Sequence, residues 1–280
     1  MTQSITEVFA DAFKTTFPLK SSPLVDCITN PVTIESMANA LLYIDAKPVM
    51  ADLPEEFPEL FTQIDALLLN LGHISPERKD SLLAAGRYAA ETHKPAVVDL
   101  VGVAATQLRY DIGQQLLQNH PNVVKGNISE VRRFAGLKST GRGVDGSQLD
   151  QSATALTELT KALQELTERF PNTTFLATGE TDLVVSAKGQ WRLENGVPQL
   201  DRFTGTGDIV GALTAALLGI GLSNDEAVVL TVSYFNCCAE VAAAQNTAGG
   251  IASFREKTLD QLSLLADQAD WVQMVKGEAL

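Results

Sequence analysis

The chain has 280 residues, 45% of them hydrophobic, and a formal net charge of −13. That length suits one large α/β unit or two small ones, with apolar residues enough for a sizeable core. So acidic a chain speaks against nucleic acid or an anionic membrane as partner, because phosphate-rich surfaces select basic proteins. A small anionic ligand stays open, since it meets only the local field.

In chain order, "MTQSITEVFADAF" has no basic segment leading into an apolar one, so it reads as an amphipathic helix and not as a signal peptide. Strand-type runs then alternate with helical patterns. "LVDCIT" (24–29) precedes "TIESMANALLYI" (33–44), and "PVMA" (48–51) precedes "PEEFPELFTQI". "ALLLNLG" (66–72) leads into a helix over 76–93, and "PAVVDL" (95–100) into one beginning near Thr106. "NVVKGN" (122–127) leads into "ISEVRRFAG", and "TTFLATG" (173–179) follows a long polar helix. The repeated order predicts a mostly parallel sheet with helices on both faces. "STGRGVDGSQLDQS" (139–152) reads as a mobile surface loop. The βα rhythm resumes beyond it, which predicts a single domain over 1–280.

From residue 182 the pattern changes. "DLVVSA", "GQWRLENG" and the stretch after them predict short antiparallel strands, with turns at Ala187-Lys188-Gly189 and Asn195-Gly196. The remainder predicts helices over 207–220, about 223–246 and about 252–275. No uninterrupted apolar run approaches the ~18 residues that would predict a membrane span. The three cysteines, Cys27, Cys237 and Cys238, are odd in number and form no CxxC pair. They predict no disulfide framework and a reducing, cytoplasmic setting.

Open parallel sheets bind ligands beyond the C-terminal ends of their strands. That rule collects Asn30, Asp52, Asn70, Gly72, Asp99, Asn127, Thr178 and Gly179 along one edge. Each is also an ordinary turn or cap residue, so the row says more than its members.

"RFTGTGDIVGAL" (202–213) spaces its glycines as GxGxxxG, which fails the dinucleotide fingerprint, and it lacks the Gly-Lys-Ser/Thr of a P-loop. A helix starting near Gly207 still offers free N–H groups and a positive dipole end, an anion hole built from Gly205, Thr206 and Gly207. Asp208 falls in its first turn. One reading is a carboxylate that favours the helix dipole, worth about 0.3–1 kcal/mol. The other is a base that takes the proton of an alcohol as its oxygen bonds to phosphorus. A carboxylate is a weak base for an alcohol, so the proton moves late, and such help is worth about 10²–10⁴-fold.

Asn127-Ile-Ser-Glu130 follows a strand, and Asp99 ends the one before it. Two carboxylates and an amide at neighbouring strand ends suit Mg²⁺. The same residues suit a capping box, Asn127 at the N-cap and Glu130 at the third position, and both readings hold together. Lys125 lies beside them as a point charge for a phosphate. His73, His93 and His120 share no ligand spacing.

Taken in order, "CITNPVTIESMANALL", "PVMADLPEE", "NLG", "VVDLVGVAATQLR", "VVKGNISEVRRFAG", "ATGETDLV" and "TGTGD" resemble the hydroxyethylthiazole kinases. These are thiamin-salvage members of the ribokinase-like superfamily, and the resemblance extends over nearly the whole chain. It implies a three-layer α/β/α fold with a mostly parallel central sheet. It also implies ATP- and Mg²⁺-dependent phosphorylation of 4-methyl-5-(2-hydroxyethyl)thiazole. It assigns substrate contacts to Met50 and Gly205 with Asn30 and Val32 close by, ATP contacts to Lys125 and Thr178, and metal carboxylates to Asp99 and Glu130. It further implies a homotrimer with active sites between subunits.

Three residues depart from the pattern. Asp208 stands where many members have cysteine, as in the superfamily's sugar kinases, which favours the base assignment. Leu100 stands for a proline, and Lys125 for an arginine, with loss of a bidentate donor. Two alternatives remain. A lyase acting on hydrated nicotinamide cofactors shares the NxxE and GTGD segments, though "ITNPVT" and "MADLPEE" favour the kinase. A non-catalytic binding protein on the same fold is the other.

Overall fold

The computed structural model describes residues 2–141, 147–247 and 249–280. Its strands are β1 (Leu24–Ile28), β2 (Lys47–Val49), β3 (Ala66–Asn70), β4 (Ala96–Asp99), β5 (Val123–Asn127), β6 (Thr174–Thr178), β7 (Asp182–Ser186), β8 (Gly189–Leu193) and β9 (Gly277–Ala279). Among the described residues they form one sheet in the order β2-β1-β3-β4-β5-β6-β7-β8-β9. The first six strands of that order pair in parallel, and the last three join antiparallel.

Alternation along the strands builds two cores. Val25 and Cys27 of β1, Ala66 and Leu68 of β3 and Val97 of β4 face one side. There they meet α3 (Ile34–Tyr43), α9 (Thr206–Gly219) and α10 (Asn224–Gln245). Leu67, Leu69, Val98 and Val124 face the other. That side is covered by α5 (Pro76–Thr92), α6 (Gln107–Leu117), α7 (Ile128–Phe134) and α8 (Ala153–Arg169). The result is the expected three-layer α/β/α arrangement. α10 is long and apolar enough to cross a membrane by length and composition, but 78% of its apolar window is buried. It is a core helix, packed against α9 and α11 (Ile251–Leu264).

The departures from expectation lie at the ends and in the loops. The N-terminal helix is two short ones, α1 (Ile5–Val8) and α2 (Ala10–Thr15). Phe9 leaves helical geometry between them, and its ring lies 5.2 Å from that of Trp191. "PEEFPELFTQI" forms a 3-10 turn and the short α4 (Phe57–Leu60). The turn over Ala187-Lys188-Gly189 is found, but beyond Asn195-Gly196 the chain enters a 3-10 turn, Pro198–Arg202, in place of another strand. Pro198 opens it, where a missing N–H is harmless.

The last helix stops at Leu264, and the chain returns through a 3-10 turn to add β9. Trp271, packed on Phe13 and Tyr234, anchors that return. In the predicted mobile loop 139–152, residues 142–146 lie outside the described residues. Its flanks are held: Ser139 and Thr140 both donate to Asp150, as does Ser129 of α7. These bonds hold Asp150 below the usual carboxylate range, although its partial burial acts the other way.

Candidate active site

One parity of side chains along β3, β4 and β5 points toward α9, and at the strand ends that parity brings Asn70, Asp99 and Lys125. All three are buried. Asp99 and Lys125 pair across the ladder, and the ammonium donates to Asp99 Oδ2 at 2.8 Å. Asn70 Nδ2 donates to Asp208 Oδ1 at 2.9 Å and to Asp99 Oδ2 at 3.3 Å. Its own oxygen accepts the Gly72 N–H at 2.8 Å, which sets the amide's orientation.

Asp208 sits in the first turn of α9 and is 8% exposed. Its Oδ2 accepts from Asn30 Nδ2 at 3.1 Å and from the Thr33 hydroxyl. Asn30 in turn accepts the N–H groups of Val32 and Thr33, so the turn after β1 is folded around it. Gly205 is the N-cap of α9, at φ +96° and without a side-chain cap. A Cβ there would lie 2.9 Å from Thr33 Cγ2, so glycine is required by conformation and by space. A Cβ on Gly207 would come 3.5 Å from Lys125 Nζ. The open helix start and the ammonium therefore share one cradle, suited to a phosphate group.

Glu130 makes the expected capping box with Asn127. It accepts from Asn127 N at 2.9 Å and, with its other oxygen, from Gly102 N at 2.7 Å. Burial pushes Glu130 up to about 7, although those two N–H groups oppose it. Burial likewise pushes Asp99 up to about 6, against the pull of Lys125 and with some help from Asp208. Thr178 lies beside Asn127 across the β5–β6 ladder.

A family model for the hydroxyethylthiazole kinases matches residues 19–268. The hydroxyethylthiazole kinase of Lacticaseibacillus casei strain BL23 is 76% identical over 280 residues, which is all of both chains. That of Enterococcus faecalis strain V583 is 58% identical, over 96% of this chain and 98% of its own. The chain belongs to the hydroxyethylthiazole kinase family. It is therefore a kinase, and the lyase and binding-protein alternatives give way.

The solved hydroxyethylthiazole kinase of Pyrococcus horikoshii OT3 superposes with a TM-score of 0.83 at 29% identity, over 98% of this chain and 99% of its own. A pyridoxal kinase from Staphylococcus aureus, solved with AMP-PCP and pyridoxal, gives 0.55 at 14% identity, over 76% of this chain and 86% of its own. That second likeness concerns the fold alone, and it makes the kinase's architecture ribokinase-like.

The structure brings Asp208, Gly205, Gly207, Asn30, Lys125 and Asp99 together. Val32 instead points outward, 72% exposed, and Met50 packs partly buried on the core that α3, α9 and α10 cover. Thr33 escaped sequence reasoning because a threonine opening a helix looks like a cap. Here it makes no cap bond and donates to Asp208 instead. Asn70 stood in the strand-end row without a role. The three histidines all adopt left-handed backbone conformations, His73 at φ 51°, His93 at 55° and His120 at 53°. Among the described residues no three metal-ligating side chains cluster.

Proposed function

We propose that this kinase transfers the γ-phosphoryl group of ATP to the hydroxyl of 4-methyl-5-(2-hydroxyethyl)thiazole, a thiamin-salvage step, as its relatives' names suggest. The observation that carries the mechanism is the adjacency of Asp208 to the uncapped start of its own helix. The alcohol lies against Asp208, which accepts its proton as the new O–P bond forms and the bond to the β-phosphate breaks. The N–H groups of Gly205, Thr206 and Gly207, with Lys125, stabilise the charge on the transferring group. Lys125 and Thr178 contact ATP. Met50, Gly205, Asn30 and Val32 border the alcohol.

Mg²⁺ keeps several waters and takes only one or two carboxylates besides phosphate. Asp99 and Glu130, buried and near enough for the charge of Asp99 to act on Glu130, would supply the one or two carboxylates such an ion takes, without a larger cage. Held there, it would neutralise phosphate charge. The reading also includes a cytoplasmic homotrimer with sites between subunits. The exposed apolar side chains of Val32, Ile34 and Leu53, beyond the ends of β1 and β2, support an incomplete site in the single chain.

The test is an acceptor screen with ATP and Mg²⁺ over thiazole, pyrimidine and sugar alcohols, read as ADP release. The thiazole alcohol should give the highest kcat/KM; turnover of another alcohol in its place sinks the substrate assignment. Asp208→Asn should lower kcat by about 10²–10⁴-fold with the fold intact. Near-normal turnover of a folded variant removes Asp208 as the base.

A further inference from the structure

β1 carries a carboxylate that the chemistry above does not use. Asp26 is 0% exposed, and the alternation along β1 turns it to the side of the sheet opposite α9. Its Oδ1 accepts the Ala51 N–H at 3.0 Å, while its Oδ2 has no hydrogen-bond partner. Buried oxygens without partners are rare, and a buried carboxylate is costly. Burial pushes this one up to about 7, against the backbone N–H groups of Ala51 and Cys27 and with some help from the nearby charges of Asp52 and Glu56. A core position that needed only packing would carry a hydrophobe.

The bond falls at a particular place. The parallel ladder between β1 and β2 ends with Asp26 opposite Val49. Ala51 lies two residues beyond that last pair, immediately after Met50. The Asp26 side chain thus takes over where the sheet's own hydrogen bonds stop. From the other side α5 holds the same turn: Ser81 Oγ donates to the Asp52 carbonyl at 2.5 Å, and Arg78 Nη1 reaches Asp52 Oδ2 at 3.2 Å. The Met50–Asp52 segment is clamped between a strand and a helix, and its first side chain packs, partly buried, on the core that α3, α9 and α10 cover.

We infer that Asp26 is a positioning residue for the acceptor side of the site, holding the backbone at Ala51 so that Met50 keeps its place against the alcohol. The inference rests on the reading that Met50 borders the acceptor. It requires the KM of the alcohol, and not that of ATP, to depend on Asp26.

Asp26→Ala and Asp26→Asn test it, with hydrogen exchange of the 47–53 segment measured beside steady-state kinetics. In the alanine variant the segment should exchange faster, and KM for the thiazole alcohol should rise roughly tenfold with KM for ATP within about twofold. The asparagine variant keeps an acceptor oxygen for Ala51 but loses the charge, so it should recover most of both effects. Ser81→Ala, which releases the clamp from α5, should raise the same KM more weakly and covers the case in which Asp26→Ala does not fold.

Unchanged exchange, an equal rise in both KM values, or no recovery by asparagine overturns the inference. Met50→Ala separates the underlying reading. If that variant leaves the alcohol KM unchanged while Asp26→Ala raises it, Met50 is not the group being positioned. If Met50→Ala raises it and Asp26→Ala does not, the positioning role of Asp26 is overturned.

Discussion

Asn70 spends both hydrogens of one amide on two different carboxylates, Asp208 and Asp99, while its oxygen is held by Gly72. The proposed base and the proposed metal carboxylate are thereby kept apart by a neutral donor, and Lys125 supplies the positive charge. Around Asp208 the donors are amides and a hydroxyl, not cations. Asp26 has only backbone company, chiefly the Ala51 N–H, and its burial sets a stability prediction. Its folded proton affinity, near 7, is well above the ordinary 3.8. Below pH ~4 both folded and unfolded chains hold the proton, so burial brings no penalty. As pH rises toward 7 the unfolded chain releases the proton first, so stability falls, and the loss is complete above 7. Asp26→Asn should therefore raise Tm at pH 8, by the equivalent of up to about 4 kcal/mol, and leave it unchanged near pH 4. Equal gains at both pH values, followed by calorimetry, would contradict this account.

At the scale of elements, α9 is the pivot. Its uncapped N-terminus lies beyond the ends of the parallel strands, and its apolar body packs on β1, β3 and β4. The helix can start where it does because Gly205 holds φ +96° against Thr33. Gly205→Ala adds a Cβ both in a strained conformation and 2.9 Å from Thr33 Cγ2. We expect a stability loss of about 1–2 kcal/mol from the left-handed backbone alone. Activity should fall further than that loss explains, because Thr33 must shift and it hydrogen-bonds Asp208. Thermal melts beside kcat would check it; a variant that is less stable but fully active would show that Thr33 moves freely. Other helices rely on ordinary caps, such as the boxes at Asn127 and Ser223. The cap at Asn127 was legible, since Asn followed by Glu at the third position is a local pattern. The hydrogen bond from Thr33 to Asp208 was not legible, because 175 residues separate the two partners.

For the whole molecule, the exposed apolar residues beyond β1 and β2 carry the prediction. Val32 is 72% and Leu53 51% exposed, beyond the strand ends that carry the proposed acceptor side. For the proposed homotrimer, Val32→Glu should shift the mass in sedimentation from trimer toward monomer and raise KM for the alcohol. A trimer of unchanged mass and activity would remove Val32 from the interface. The parallel half of the sheet was readable in the sequence, because each buried strand is a short apolar run bounded by turn residues and followed by a helical period. The C-terminal strand was not. β9 has three residues and no alternation to detect, and it forms between the edge that β8 offers and the N-terminal segment at Gln3 and Ser4.

Local spacing along the chain specifies the layered α/β class, the row of polar residues at the strand ends and the pairing of a glycine-rich helix start with Asp208. Each of these is written in spacing over a few neighbouring residues, where periodicity and cap chemistry act. Which of those polar residues meet depends on how the folded chain packs. Asn70 bridges two carboxylates, Thr33 serves Asp208 and Asp26 holds the turn after β2, because sheet register and helix packing bring distant segments within hydrogen-bond reach. Such contacts follow from three-dimensional closure, which no local pattern along the chain encodes.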